Sequence, residues 1–241
     1  MKTTVRIAAL LLATAAATLG CTAQADQTTD KLKATLQSRL GDATVKGIAK
    51  SPIPGLYEVN LGSQIVYSDA AGDYVLLGEM VDTKTRRNLT EARMSEINKV
   101  DFASLPLNNA VKYVKGNGAR KIAVFSDPNC PYCKRFESTL RSMNNITVYT
   151  FLYPVLTPDS TVKSKAIWCA SDRAKAWESW MVDHVAPTGA GNCDTSALDK
   201  NLALGRGLNV TGTPTIILAD GTRLPGAVSA DDLNSALANV K

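Results

Sequence analysis

The spacing of apolar residues changes repeatedly along the chain, and each change marks a different kind of element. Leu32, Leu36 and Leu40 recur at steps of four, predicting a helix over Asp30 to Leu40 that Gly41-Asp42 stops. From Ala43 to Asp82 the texture shifts to short runs rich in β-branched and aromatic residues: Thr44 to Ala49, Leu56 to Leu61, Gln64 to Ser68 and Tyr74 to Leu77. Turn clusters at Pro52-Ile53-Pro54-Gly55, Gly62-Ser63 and Ala71-Gly72-Asp73 separate them, so a helix against a small antiparallel sheet is expected. Thr90 to Asp101 reads as a connecting helix with Thr90 at its N-cap and Leu89, Ile97 and Val100 roughly on one side. Ala110 to Val114 and Lys121 to Ser126 flank Gly116-Asn117-Gly118, which predicts a hairpin. Ile146 to Tyr153 is the next buried strand, and a largely helical stretch runs from Thr161 to Gly205, with Trp168, Trp177 and Trp180 assigned to core packing. A strand ending at Leu218, the Asp220-Gly221 turn and Thr222 to Pro225 predict a second hairpin, closed by a helix over Ala230 to Val240.

The most informative stretch is Lys121 to Met143. Ile122 to Phe125 is an uninterrupted apolar run, as expected of a strand buried on both faces, and Asp127-Pro128-Asn129 punctuates it. Pro131 suits the first helical position, because its fixed φ is already helical and its missing N–H has no partner there anyway. Cys130 therefore falls at the N-cap. Cys133, Phe136, Leu140 and Met143 make one apolar stripe, with Lys134, Arg135, Glu137 and Arg141 assigned to the other face.

That placement suggests chemistry. A thiol at a helix N-terminus meets the partial positive charge of unpaired backbone N–H groups, which favours the thiolate, the form that attacks disulfides. Lys134 and Arg135 are placed to assist. Cys133, one turn on, lies within bridging distance, so Cys130 is the expected exposed nucleophile and Cys133 the resolving thiol that releases a trapped mixed disulfide. C-x-x-C is also a zinc spacing, but Cys169 and Cys193 supply no second such pair and His184, the single histidine, has no ligand-spaced companion; no metal is expected. A Cys130–His184 protease pairing would need no second cysteine at this spacing.

The N-terminus carries Lys2 and Arg6, an apolar core over Ile7 to Ala17 and the small-x-small site Ala23-Gln24-Ala25, so residues 1–25 read as a secretory signal peptide. A lipoprotein signal processed at Gly20-Cys21 is the competing possibility, with Thr18 standing where such signals usually carry leucine. The core is shorter than the roughly 20 apolar residues of a membrane span. With 27 basic and 22 acidic side chains, no long Lys/Arg run and no interleaved aromatics, nothing points to nucleic acid. Of the five cysteines, Cys21 falls within the signal, leaving an even number in an exported chain. With Cys130 paired to Cys133, Cys169 and Cys193 remain as a structural disulfide, worth on the order of 3 kcal/mol in the chain-entropy model. The motifs Asn88-Leu89-Thr90, Asn145-Ile146-Thr147 and Asn209-Val210-Thr211 are taken as chance matches to the glycosylation pattern.

A strand, C-x-x-C, helix, strand, helical insertion, then Gly212-Thr213-Pro214 leading into a hairpin and a last helix, resembles a thioredoxin fold. Thr213-Pro214 resembles the cis-proline loop that faces the redox cysteines there, which would set the Thr213 backbone beside Cys130 to pair with an extended substrate segment. The whole mature chain, including Ala166 to Ala170 (AIWCA) with Cys193 downstream, is similar to bacterial periplasmic disulfide isomerases of the DsbC type. The resemblance implies a signal peptide (1–25), an α+β dimerisation domain (26–87), a linker helix (88–105) and an α/β thioredoxin-like catalytic domain (106–241). It also implies no cofactor, a homodimer joined through its N-terminal domains around an apolar cleft, misfolded disulfide-containing clients and a membrane thiol-transfer protein as reductant. The sequence departs at the dipeptide between the cysteines, where Pro131-Tyr132 replaces the usual Gly-Tyr and matches glutaredoxins instead; these residues, with Thr213 and Pro214, are the expected substrate-contacting set. That departure leaves open the balance of isomerase, reductase and oxidase activity. A holdase-type chaperone with secondary redox activity, and a dedicated thiol reductase for a few exported partners, are the rivals. A unit of about 60 residues is marginal alone, and an open sheet edge invites pairing, which independently favours a dimer through residues 26–87.

Overall fold

The computed structural model describes residues 20–189 and 191–240, in two compact units that divide between Thr90 and Glu91. The greater part of the expected signal peptide, residues 1–19, lies outside the described residues. No helix among those described is long and apolar enough to cross a membrane.

In the first unit, helix α1 (Gly20–Arg39) begins well before the expected Asp30. Leu32 and Leu36 are buried, as their spacing predicts, against Val45, Val59 and Val66. Strands β1 (Gly47–Lys50), β2 (Leu56–Asn60), β3 (Ile65–Asp69) and β4 (Val75–Leu76) form an antiparallel meander in that order. Strands β5 (Val81–Asp82) and β6 (Arg87–Asn88) make a further short ladder that the apolar pattern did not reveal, since two-residue strands are too brief to show a period.

Helix α2 (Leu89–Ile97) starts one residue before the expected cap. Thr90 is thus not the N-cap. Its buried hydroxyl accepts from the Met80 N–H at 2.7 Å and is hydrogen-bonded to the Tyr67 hydroxyl, so tertiary partners claim the side chain that a local signal assigned to capping. Short 3-10 turns at Phe102–Ser104 and Leu107–Asn109 follow, the first capped by the Asp101 carboxylate.

The second unit is built on five strands: β7 (Val111–Lys115), β8 (Arg120–Ser126), β9 (Ile146–Leu152), β10 (Thr215–Leu218) and β11 (Arg223–Pro225), in the spatial order β11-β10-β8-β9-β7. Helix α3 (Pro131–Ser142) links β8 to β9, which are parallel; every other neighbouring pair is antiparallel. Period-two alternation in β8 sends Ile122 and Val124 to the face packed by Phe136, Leu140, Leu233 and Leu237, and Ala123 and Phe125 to the face with Phe151, Tyr153 and Val210. The second face is covered in part by α6 (Ser196–Gly207), and the first by α7 (Ala230–Ala238). Helices α4 (Pro158–Trp168) and α5 (Arg173–Met181) belong to the insertion, where Ile167, Trp168, Trp177 and Met181 pack with Cys130, Cys133 and Leu152.

The expected hairpin of 110–114 with 121–126 does not form. Ile146 of β9 stands between Lys115 of β7 and Arg120 of β8 and is register partner to both. The Gly116–Ala119 link therefore crosses the width of an intervening strand instead of turning back on its neighbour. Gly116 and Gly118 supply the positive φ values of 59° and 64° that this crossing uses, and the Thr147 hydroxyl donates to the Gly118 carbonyl at 2.8 Å. The cause is valence: β9 and β10 occupy both edges of β8, so β7, with Lys112 and Lys115 along it, is left the outer edge, a place where charge is tolerated. The second hairpin, β10 with β11, forms as expected.

The packing of α6 on this sheet is close enough to test. A Cβ on Gly205 would lie 2.3 Å from Cε2 of the buried Tyr153 ring. Gly205→Ala should lower stability by about 1–3 kcal/mol through overpacking, read from the urea midpoint; an unchanged midpoint would contradict this contact.

Candidate active site

The site starts at the end of β8, where the buried run gives way to polar residues. Asp127 is completely buried, yet all its demand is met. Oδ1 accepts from the Asn129 N–H at 2.8 Å and the Ser160 hydroxyl at 2.7 Å, while Oδ2 accepts from the N–H groups of Val155 and Leu156 at 2.8 and 3.0 Å. A buried carboxylate is tolerated when its charge is met by such donors. The residues after it are held just as firmly. The Trp180 indole N–H donates to the Pro128 carbonyl at 2.7 Å, the Asn129 side-chain amide donates to Thr157 Oγ1 at 3.0 Å and Asp159 Oδ2 at 2.7 Å, and the Cys130 N–H donates to the Asp127 carbonyl at 3.1 Å. The sequence marks Asp127 as no more than turn punctuation and Trp180 as no more than packing. A turn aspartate and a carboxylate knot look alike until Val155, Leu156 and Ser160 are known to be neighbours.

Cys130 is the N-cap of α3, with Pro131 in the first turn, as the sequence indicated. Its Sγ accepts from the Cys133 N–H at 3.3 Å and donates to the Thr213 carbonyl at 3.2 Å. The loop anticipated from the fold resemblance does face the cysteines, since the Thr213 carbonyl accepts from Cys130 Sγ, and Thr213-Pro214 is cis. Both thiols are free. One expectation changes: Cys130 is only 3% exposed against 1% for Cys133, so depth does not separate them. Their surroundings do. Burial raises the Cys133 thiol well above its ordinary pKa, only partly offset by hydrogen bonding from the Ser126 hydroxyl and the Asp127 backbone. Cys130 instead has an acceptor on one side and a helix N–H on the other.

The rim is apolar and aromatic. Tyr132 is 58% exposed, and Val155 and Leu156, whose N–H groups Asp127 holds, are exposed in the loop after β9. Lys134 and Arg135, expected to assist the thiolate, lie over rings instead: Lys134 Nζ is 4.0 Å from the Trp180 centroid and the Arg135 guanidinium 5.5 Å from that of Tyr132. Cys169 and Cys193 form a disulfide joining the end of α4 to the segment before α6, outside this constellation. His184 follows α5 at φ 59° and is exposed. Among the described residues no cluster of His, Cys, Asp and Glu is arranged to hold a metal ion.

A second buried acid corrects the assignment of α3's faces. Glu137, placed by sequence on the polar side, is 4% exposed. Oε1 accepts from the Trp177 indole N–H at 2.8 Å and Oε2 from the Tyr113 hydroxyl at 3.3 Å. Desolvation, against the opposing effect of those two hydrogen bonds, pushes its carboxyl up to about 7. The signal was present in the sequence, since Cys133, Phe136, Glu137 and Leu140 fall at steps of three, four and seven on one stripe; charge alone argued it outward.

A parallel β8-α3-β9 crossover with two free thiols at the N-terminus of its helix, and a cis-prolyl loop hydrogen-bonded to the first, defines a thiol–disulfide oxidoreductase of thioredoxin-like fold. The thioredoxin-like domain family matches residues 107–241, and the disulfide bond isomerase protein N-terminal domain matches residues 22–91. The chain is 46% identical over 212 residues to the probable thiol:disulfide interchange protein DsbC of Bordetella pertussis, covering 88% of this chain and 75% of that protein. The thiol:disulfide interchange protein DsbC of Escherichia coli K12 is 30% identical over 203 residues, or 80% and 82% of the two chains. The crystal structure of a disulfide interchange protein from Neisseria gonorrhoeae, 39% identical, superposes with a TM-score of 0.53 over 56% of this chain and 96% of that one. The chain belongs to the DsbC family of thiol:disulfide interchange proteins.

The Asp127 knot makes a direct prediction. Asp127→Ala strands four buried or half-buried donors at once, so stability should fall by roughly 3–5 kcal/mol and thiol exchange at Cys130 should slow even where the variant remains folded. Denaturant unfolding alongside alkylation kinetics measures both; wild-type values in either would remove Asp127 from this role.

Proposed function

We propose that the protein rearranges non-native disulfides in exported proteins, acting as a disulfide isomerase and reductase through Cys130 and Cys133. The observation that carries this is the setting of Cys130 Sγ, between the first turn of α3 and the Thr213 carbonyl. Its Sγ already accepts from a backbone N–H in the first turn of α3, so a thiolate formed on attack is met by a donor there. That thiolate attacks one sulfur of a client disulfide; the new S–S bond is the mixed disulfide, and the departing client sulfur leaves as a thiolate and takes a proton from solvent. A second client thiol then attacks the client sulfur bound to Cys130, freeing Cys130, and the client is isomerised with no net electron transfer. Alternatively Cys133, deprotonated as it attacks, displaces the client from Cys130, which leaves the client reduced by two electrons and the pair oxidised. The raised pKa of Cys133 supports this order, because a thiol that holds its proton does not compete with Cys130 for the first attack.

Little of Cys130 reaches solvent, so a client sulfur has to be delivered on an extended segment. Pro131, Tyr132, Thr213 and Pro214 are the residues we assign to that contact, the Thr213 backbone acting as a partial strand partner and the exposed Tyr132, Val155 and Leu156 offering apolar surface. We assign residues 26–87 to dimerisation, 88–105 to the linker and 106–241 to catalysis. Tyr74, Leu76, Leu77 and Val81 support the first assignment: they are exposed apolar side chains on or beside β4 and β5, and β4 edges its sheet. Location in the periplasm after loss of residues 1–25, and re-reduction by a membrane thiol-transfer protein, complete the proposal.

Cys130→Ser should abolish both isomerisation of a scrambled disulfide protein and reduction of a small aromatic disulfide, whereas Cys133→Ser should accumulate mixed disulfides visible on non-reducing gels. Wild-type isomerisation by the Cys130 variant would end this mechanism. In sedimentation, the chain lacking residues 1–25 should be a dimer and its Leu77→Asp variant a monomer, with isomerisation falling more than small-disulfide reduction; a monomeric parent chain refutes the assembly.

A further inference from the structure

Glu137 is buried on the helix that carries the two thiols, yet disulfide exchange as described above gives it nothing to do. It sits four residues after Cys133, which on a helix puts both side chains on one face, one turn apart. Its carboxyl is tied by hydrogen bond to Trp177, whose ring packs in the same buried cluster as Cys130 and Cys133. The fold has no need of its charge, because a protonated carboxyl keeps both contacts, its carbonyl oxygen accepting from the Trp177 indole and its O–H donating to the Tyr113 hydroxyl oxygen.

The groups around it leave that charge poorly met. Glu137 lines a cleft of about 260 Å³ together with Tyr113 and Lys115 from β7, Arg141 from its own helix, and Asp172, Lys175 and Glu178 at or in α5. Lys115 Nζ is turned to the carbonyls of Leu140 and Arg141, at 3.4 and 3.1 Å, and Arg141 is paired with Asp183 at 3.0 Å. Glu178 adds negative charge that opposes ionisation, and Lys115 favours it from a distance. Both hydrogen-bond partners of the carboxyl, the Trp177 indole and the Tyr113 hydroxyl, are neutral.

We propose that Glu137 is a positioning residue whose carboxyl couples the redox equilibrium of the Cys130–Cys133 pair to pH: ionised, it disfavours negative charge on the reduced pair, and protonated, it does not. The inference rests on the assignment of these cysteines as the redox couple. In a glutathione buffer the reductant is glutathione. Two glutathione molecules are oxidised to their disulfide, the Cys130–Cys133 bond breaks, and two electrons and two protons pass to the protein. One proton ends on Cys133. The second stays between the Cys130 sulfur and the Glu137 carboxylate instead of being released to water.

By linkage, the reduced protein then holds the Glu137 proton more tightly than the oxidised one, and the ionised carboxylate in turn penalises reduction. At pH 5.5 Glu137 is neutral, and Glu137→Gln should match the wild type in its equilibrium with reduced and oxidised glutathione. At pH 8 the wild-type carboxylate is charged, and the variant should be the more reducible by roughly three- to tenfold, as expected of a charge acting across one to two helical turns in partly buried surroundings. Acid quenching, alkylation and mass counting of free thiols reads the ratio.

An equal shift at both pH values would mark a merely structural effect and overturn the proposal, as would no shift at either. Tyr113→Phe supplies an independent check. It removes a donor that favours the ionised carboxyl, so the pH at which the wild-type equilibrium bends should move upward; an unmoved bend counts against Glu137. Failure of the wild type itself to form a Cys130–Cys133 disulfide at any glutathione ratio is distinguishable from all of these, because it overturns the redox assignment beneath the proposal.

Discussion

The geometry of the thiols depends on a carboxylate that touches neither of them. Asp127 ends the central strand and, within the protein interior, gathers donors from its own turn, from the loop after β9 and from the first turn of α4. A charge so placed is expensive unless all its partners are present, so the three segments are held as one unit or not at all. The turn that carries Cys130 is thereby anchored from beneath, and Trp180 and Asn129 hold it from the side. The same carboxylate holds the backbone of Val155 and Leu156, whose apolar side chains are exposed.

What distinguishes the two thiols is electrical surroundings. Both are almost wholly enclosed. Cys130 lies where a helix begins, accepting from a helix N–H and donating to the Thr213 carbonyl; Cys133, equally enclosed, lies where desolvation favours the neutral thiol. The asymmetry on which the proposed order of attack and resolution rests arises from backbone placement, with Lys134 and Arg135 occupied on aromatic rings. In the first unit the balance is reversed, with a small core of leucines and valines beneath a surface that leaves Tyr74, Leu76 and Leu77 in solvent. A monomer of that size does not ordinarily leave such side chains uncovered, which agrees with a partner there.

Much of this was legible in the residue order alone: the buried run of β8, the proline that starts α3, Cys130 at its cap, the stripe through Phe136 and Leu140, the meander of the first unit, and the pairing of Cys169 with Cys193. These depend on backbone preferences and on side chains within about one helical turn of each other, or on cysteine parity, and a linear sequence records both directly. Other features were decided only by tertiary structure. That β7 pairs with β9 and not with the strand next to it in sequence depended on which edges of β8 were already occupied. Thr90 looked like a cap and became a buried link to Met80 and Tyr67; Asp127 looked like a turn and became a knot; Glu137 looked exposed and became the buried neighbour of Trp177. In each case the residue type and its local spacing fit two environments equally well, and the choice was made by donors brought from distant parts of the chain, whose arrival no local period encodes.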